Sequence, residues 1–201
     1  MASTRLLLAA ALSTLALLGQ TPAASSPIGT SAATVQAPQG LRPAEAFKAR
    51  IGQPVGEVQF TDLDGKAWSL AALRGKVVYL NVWFTGCPPC VKEIPDLNAL
   101  HARLGPHPDL VMLALAYDDE SKVRAFLKTR PFQFPVACIP FAALKQLAMS
   151  GSSVAFPTHL ILDRQGNLAV ASTGGSEQVS RDLAFSLGQV LGAPASPSTG
   201  R

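Results

Sequence analysis

From Lys76 to Phe84 the chain is almost continuously apolar, with Val77, Val78, Tyr79, Leu80, Val82 and Trp83 in one β-branched and aromatic run. That is the pattern of a strand buried on both faces, so a central strand is expected here. The period then changes: Val91, Ile94, Leu97, His101 and Leu104 recur at helical spacing until Gly105-Pro106 stops them, which predicts a helix. Leu110 to Tyr117 reads as a second buried strand, Ser121 to Thr129 as a helix, Phe134 to Ala137 as a short strand and Phe141 to Met149 as another helix. Such alternation belongs to an α/β domain. Phe156-Pro157-Thr158 leads into a strand at His159 to Leu162, Asp163-Arg164-Gln165-Gly166 turns the chain, and Leu168 to Ser172 returns as a strand. A closing helix is expected over Ser176 to Leu191, with Ser176 as its cap. Ahead of the central strand, Val55 to Phe60 alternates in strand fashion, Asp62-Leu63-Asp64-Gly65 supplies turn chemistry and Ala67 to Leu70 completes a hairpin.

The two ends read differently. Arg5 precedes an uncharged apolar run from Leu6 to Leu18, followed by small residues at Ala23, Ala24 and Ser25, which is the layout of a secretory signal peptide over residues 1–24. The run is shorter than the roughly 20 residues of a membrane-spanning helix, so cleavage is expected, and a membrane attachment would need the segment to stay uncleaved. Gln20 and Thr21 stand where a lipidated cysteine would be, which disfavours a lipid anchor. Residues 25–50 are rich in Ala, Ser, Pro, Gln and Thr and suit a flexible linker, leaving a domain over 51–191 and a disordered tail over 192–201.

Composition narrows the function. A chain of 201 residues that is 48% hydrophobic and 15% charged can bury a substantial single core. Its formal charge of +4 is modest and its Lys and Arg are scattered, which gives no footprint for a nucleic-acid partner. Three cysteines in an exported chain face an oxidising compartment. They are too few for a disulfide scaffold.

Two of them form the run Cys87-Pro88-Pro89-Cys90, between the central strand and the following helix. A cysteine there faces unpaired N–H groups and the positive end of the helix dipole, which favour its thiolate. A second cysteine one helical turn on can attack the mixed disulfide formed by the first. Cys87 is therefore the expected nucleophile and Cys90 the resolving thiol. Pro88 suits the first helical position, and Pro89 removes a second donor, leaving the Cys90 N–H as the main local donor to the Cys87 sulfur. Weaker thiolate stabilisation makes the dithiol a better reductant, toward the thioredoxin end of the redox scale rather than the DsbA end. A structural zinc would need two more ligands, and only Cys138 and three scattered histidines are available.

The segment Tyr79-Leu80-Asn81-Val82-Trp83-Phe84-Thr85-Gly86-Cys87-Pro88-Pro89-Cys90-Val91-Lys92-Glu93-Ile94-Pro95 resembles the active site of the TlpA/ResA-type exported thioredoxin-like proteins. The resemblance extends from about Ile51 to about Leu191. It implies a thioredoxin-like fold with a central mixed sheet flanked by helices, an N-terminal hairpin, and an extra strand and helix within Leu110 to Met149. It also implies a cis proline beside the disulfide, matched by Pro157, and a helix-kinking proline, matched by Pro95. No bound cofactor is implied. Asn81 stands where thioredoxin has a buried Asp, and Gly86 replaces a common Trp, which should open the surface beside Cys87. Phe156 is large for its place and should narrow the same groove, so Gly86, Phe156 and Pro157 are the candidate substrate contacts. Glu93 matches an acidic position of relatives but reads as a solvated helix side chain rather than an acid-base catalyst. Cys138 reads as an inert strand residue, and His159 as a strand histidine with an ordinary hydrogen bond.

The expected function is thiol-disulfide exchange on exported proteins in the periplasm or another extracytoplasmic space. The resemblance implies electrons from a membrane donor of the DsbD or CcdA kind, and tasks such as cytochrome c maturation or copper-site assembly. The alternative is a metallochaperone holding Cu(I) on Cys87, Cys90 and His159. A peroxiredoxin would need Ser or Thr three residues before its reactive Cys and Pro seven before; Phe84 and Leu80 hold those places relative to Cys87.

Overall fold

The computed structural model describes residue 47, residues 49–148 and residues 154–193. The expected signal peptide, most of the linker and the tail beyond residue 193 lie outside the described residues. Among the described residues the strands are β1 (Gln59–Thr61), β2 (Ala67–Ser69), β3 (Val77–Trp83), β4 (Leu110–Ala116), β5 (Val136–Cys138), β6 (Thr158–Leu162) and β7 (Leu168–Thr173). The helices described in full are α1 (Pro88–Leu104), α2 (Glu120–Leu127), α3 (Phe141–Ala148) and α4 (Glu177–Gly192).

β3 is central in a five-stranded sheet of order β5-β4-β3-β6-β7. It runs parallel to β4, which runs parallel to β5, and antiparallel to β6, which runs antiparallel to β7. The sheet is mixed and the fold thioredoxin-like. All seven residues of β3 are buried, as a strand covered on both faces requires. Strand alternation divides them. Val77, Tyr79 and Trp83 join the layer holding Leu97 and Leu100 of α1 with Leu183 and Leu187 of α4. Val78, Leu80 and Val82 join the opposite layer, with Val55, Val58, Leu144 and Leu147. The core also reaches upstream of Ile51, because Phe47 is buried in this second layer.

Two elements are shorter than their apolar pattern. The hairpin strand begins at Gln59 rather than Val55, because Gly56 takes a positive φ of 70° and breaks the extended run. β5 begins after Pro135, which has no N–H for the ladder, although its carbonyl accepts from the Ala114 N–H at 2.9 Å. Gly192, placed in the tail from its composition, is the last residue of α4.

The edge of the domain away from the cysteines is tied by backbone pairing and one arginine. Gly52 N–H donates to the Leu168 carbonyl at 2.8 Å, and Leu168 N–H to the Gln53 carbonyl at 2.9 Å. Arg164, in the turn between β6 and β7, donates to the carbonyls of Leu191 and Ala193, each at 2.9 Å, capping the free acceptors at the end of α4.

Candidate active site

The loop from β3 to α1 fixes both cysteines. Trp83 ends the strand, Thr85 and Gly86 turn, and Cys87 N–H donates to the Phe84 carbonyl at 3.1 Å. Thr85 N–H is held from the side by the Asp118 carboxylate at 2.6 Å. Cys87 is the N-cap of α1 with Pro88 and Pro89 in the first turn, and its sulfur accepts from the Cys90 N–H at 3.3 Å, the donor expected from the sequence. The cysteines form a disulfide with an S–S distance of 2.06 Å. Gly86, Pro88 and Pro89 are exposed around the two buried sulfur-bearing residues. Pro95 lies inside α1, where it removes one backbone donor.

The Phe156-Pro157 bond is cis. Pro157 immediately precedes Thr158, which pairs with Val82 near the end of β3 from which the cysteine loop leaves. Phe156 is half-buried, with its ring in an edge contact with Phe84 at 5.0 Å and facing Tyr117 at 6.2 Å. A Cβ at Gly86 would meet only the Phe84 ring, at 3.4 Å, so the surface there is open.

The expectation that Glu93 is a solvated side chain is overturned. It is 4% exposed, one turn on from Cys90 and on the same inner face of α1 as Leu97. Asn81 donates from Nδ2 to Glu93 Oε1 at 3.0 Å, and His159 Nε2 lies 3.4 Å from Oε2. These partners make burial of a carboxylate tolerable. Gly175 carries no motif that singles it out in the sequence: a Cβ there would stand 2.7 Å from Glu93 Oε2 and 2.9 Å from the Pro89 carbonyl oxygen. Its bare backbone lets the loop after β7 close over the carboxylate.

Cys138 stands apart from the pair, at the end of β5, in register with Ala116 and through it with Trp83. Burial, with the nearby Glu120 charge adding, pushes its thiol up to about 11, which accords with an unreactive strand residue. His159 is on β6 with both ring nitrogens facing partners: Tyr79 Oη lies 2.9 Å from Nδ1, and the Gly174 carbonyl oxygen 3.3 Å from Nε2. A ring so engaged is poorly placed to ligate Cu(I) with the cysteines. Among the described residues, no group of three or more His, Cys, Asp or Glu is arranged to hold a metal ion.

Residues 50–184, which include the cysteine loop, the cis proline and the buried carboxylate, match the Redoxin family. The chain belongs to the Redoxin family. Within it, the protein is similar to the thiol-disulfide oxidoreductase ResA of Bacillus cereus, 31% identical over 140 residues, 70% of this chain and 78% of that one. It is also similar to the thioredoxin-like protein YneN of Bacillus subtilis, 31% identical over 117 residues, 57% and 66% of the two chains. Among solved structures, a DsbF homologue from Corynebacterium diphtheriae superposes with a TM-score of 0.58 at 28% identity, covering 68% of this chain and 86% of that one. A thiol:disulfide interchange protein from Chlorobium tepidum TLS shares the fold with a TM-score of 0.60 at 24% identity, covering 75% and 98%. This Redoxin-family protein is thus a ResA/TlpA-type thiol-disulfide oxidoreductase.

Proposed function

We propose that this protein reduces disulfides in other exported polypeptides, with Cys87 attacking, Cys90 resolving and Glu93 accepting the Cys90 proton. The observation that carries this reading is the single backbone donor to Cys87: the Cys90 N–H at 3.3 Å, with Pro88 and Pro89 offering none. The helix N-terminus still favours the thiolate, but less than a richer donor set would, so the dithiol gives up its electrons readily. Glu93 supports the resolving step because it is a buried carboxylate one turn on from Cys90, on the same inner face of α1.

Gly86, Phe156 and Pro157 are the proposed substrate contacts, since an open glycine and a half-buried ring flank the disulfide loop. Residues 1–24 direct the chain out of the cytoplasm and are removed there; retained, they would anchor it. A membrane thiol donor of the DsbD or CcdA kind returns the enzyme to its dithiol. Apocytochrome c and copper-site proteins are the substrate classes to try first. In the test, Cys90→Ser is expressed in the native host and disulfide-linked species are isolated. This variant should accumulate a mixed disulfide with its substrate and Cys87→Ser should not. Equal trapping by both variants, or by neither, overturns the assigned roles.

A further inference from the structure

Under the cysteine loop four polar side chains meet with almost no exposure: Tyr79 and Asn81 from β3, Glu93 from α1 and His159 from β6. Asn81 and His159 are direct partners in the β3/β6 register, so the sheet itself brings them together. A buried imidazole is costly unless both nitrogens are served, and here the two nitrogens face different chemistry. Nε2 looks at two acceptors, Glu93 Oε2 at 3.4 Å and the Gly174 carbonyl oxygen at 3.3 Å, so the ring proton belongs on Nε2. Nδ1 looks at Tyr79 Oη at 2.9 Å and at Asn81 Nδ2 at 3.4 Å, whose amide already donates to Glu93. Nδ1 is therefore the acceptor, and the phenol donates to it. Burial, reinforced by the charge of Glu93, holds the Tyr79 phenol well above its ordinary pKa, so it remains a donor at working pH.

We propose that His159 is a positioning residue for disulfide exchange: its Nε2–H tautomer, set by Tyr79, donates to Glu93 and holds that carboxylate ready for the Cys90 proton. This rests on the reading of Glu93 as proton acceptor. The groups facing His159 are Glu93 from α1, Tyr79 and Asn81 from β3, and Ser172 and the Gly174 carbonyl on the β7 side. Among the described residues no Lys or Arg pairs with Glu93, so two neutral donors, Asn81 on Oε1 and His159 on Oε2, hold it. Donors to the charged form favour that form. Without His159 the carboxylate would lose one of its two side-chain donors.

In the resolving step the Cys90 thiol gives its proton to Glu93. The Cys90–Cys87 sulfur bond forms while the bond from Cys87 to the substrate sulfur breaks, and the electron pair leaves on that sulfur, which recovers the proton from Glu93 or water. The substrate disulfide has then gained two electrons and the enzyme dithiol has lost them.

The test follows the reduced enzyme with 5,5′-dithiobis(2-nitrobenzoate) in single turnover across about pH 5 to 9, the range in which a histidine or carboxylate effect is read. The first nitrothiobenzoate released reports attack by Cys87, and the second reports resolution by Cys90. His159→Leu should move the acid limb of the second release up by about one pH unit, making it about tenfold slower on that limb, with rates converging at alkaline pH. His159→Gln, whose amide nitrogen can donate to Glu93 in place of Nε2, should restore the limb. Tyr79→Phe keeps an apolar ring in the core and should shift the limb in the same direction as His159→Leu, which covers the case in which the leucine variant does not fold. A His159→Leu or Tyr79→Phe profile that is unmoved or only scaled, or a His159→Gln profile matching that of His159→Leu, overturns the proposal. Glu93→Gln separates the two readings. If it keeps the acid limb, Glu93 is not the acceptor; if it removes the limb while His159→Leu leaves it in place, only the role of His159 falls.

Discussion

Gly175 closes over Glu93 so tightly that a single added carbon would lie 2.7 Å from the carboxylate and 2.9 Å from the Pro89 carbonyl oxygen. The side chain could swing away, but the backbone carbonyl at the start of α1 cannot. Gly175→Ala should therefore displace both Glu93 and the first turn of the helix. The expected result is slower release of substrate from the mixed disulfide and a stability loss of about 1–3 kcal/mol, the usual cost of overpacking. Urea denaturation checks the second figure, and single-turnover kinetics the first.

Asp118 steadies the cysteine loop from the neighbouring strand end. Burial pushes its carboxyl up, but hydrogen bonds from Lys122 and from Thr85 outweigh burial and leave it below the usual carboxylate range. The Lys122 side chain is 59% exposed, so that ion pair contributes little; the Thr85 N–H, at 2.6 Å, contributes more. With the folded-state pKa depressed, this stabilisation is present above the unfolded carboxyl's pKa and fades as pH falls through the folded value. Asp118→Ala should cost about 1–2 kcal/mol near neutrality, and the gap from wild type should narrow in acid. Denaturation midpoints at several pH values would show whether it does.

Asn81 donates to Glu93, so an acid in its place would set two carboxylates face to face. Asn81→Asp should make the pair retain one proton when folded, raising its proton affinity above that of the unfolded chain. Stability is then kept at low pH and lost as pH rises through the raised value. A deficit of about 3 kcal/mol is expected in mild alkali, with recovery in mild acid. Stability that does not vary with pH in this variant would show that Asn81 and Glu93 do not share a site in solution.

Cys138, with its thiol pushed up to about 11, should resist alkylation in the oxidised protein. Only about one molecule in a thousand would carry its thiolate at pH 8. Mass spectrometry after iodoacetamide treatment should find the chain almost unmodified at that pH and labelled only in strong alkali. Cys138→Ala should leave disulfide exchange unchanged.

How much of this is legible in the sequence depends on the range of the interactions. The strand Val77–Trp83, the cap at Ser176 and the donor role of the Cys90 N–H follow from neighbours in the chain, and each is readable there. The place of Pro157 is readable from resemblance. Glu93 misleads because a carboxylate's burial depends on what is across from it. Its donors sit on other elements, Asn81 on β3 and the more distant His159 on β6, and the β3/β6 register sets those two side by side. The helical period does carry a hint, since Glu93 shares the inner face of α1 with Cys90 and Leu97. Gly175 gives no local sign at all, because its constraint comes from a side chain on another element.

The ties at Gly52–Leu168 and at Arg164 also decide how the molecule faces the world. Leu168 lies beside Leu162, which is paired with Val78 at the start of β3, whereas Cys87 follows the end of that strand. The carbonyls gripped by Arg164 bring the end of α4 to the same pole. A carrier or bead joined at either extremity of the domain would thus attach at the pole opposite the cysteine loop, leaving the exposed Gly86, Pro88 and Pro89 free of it.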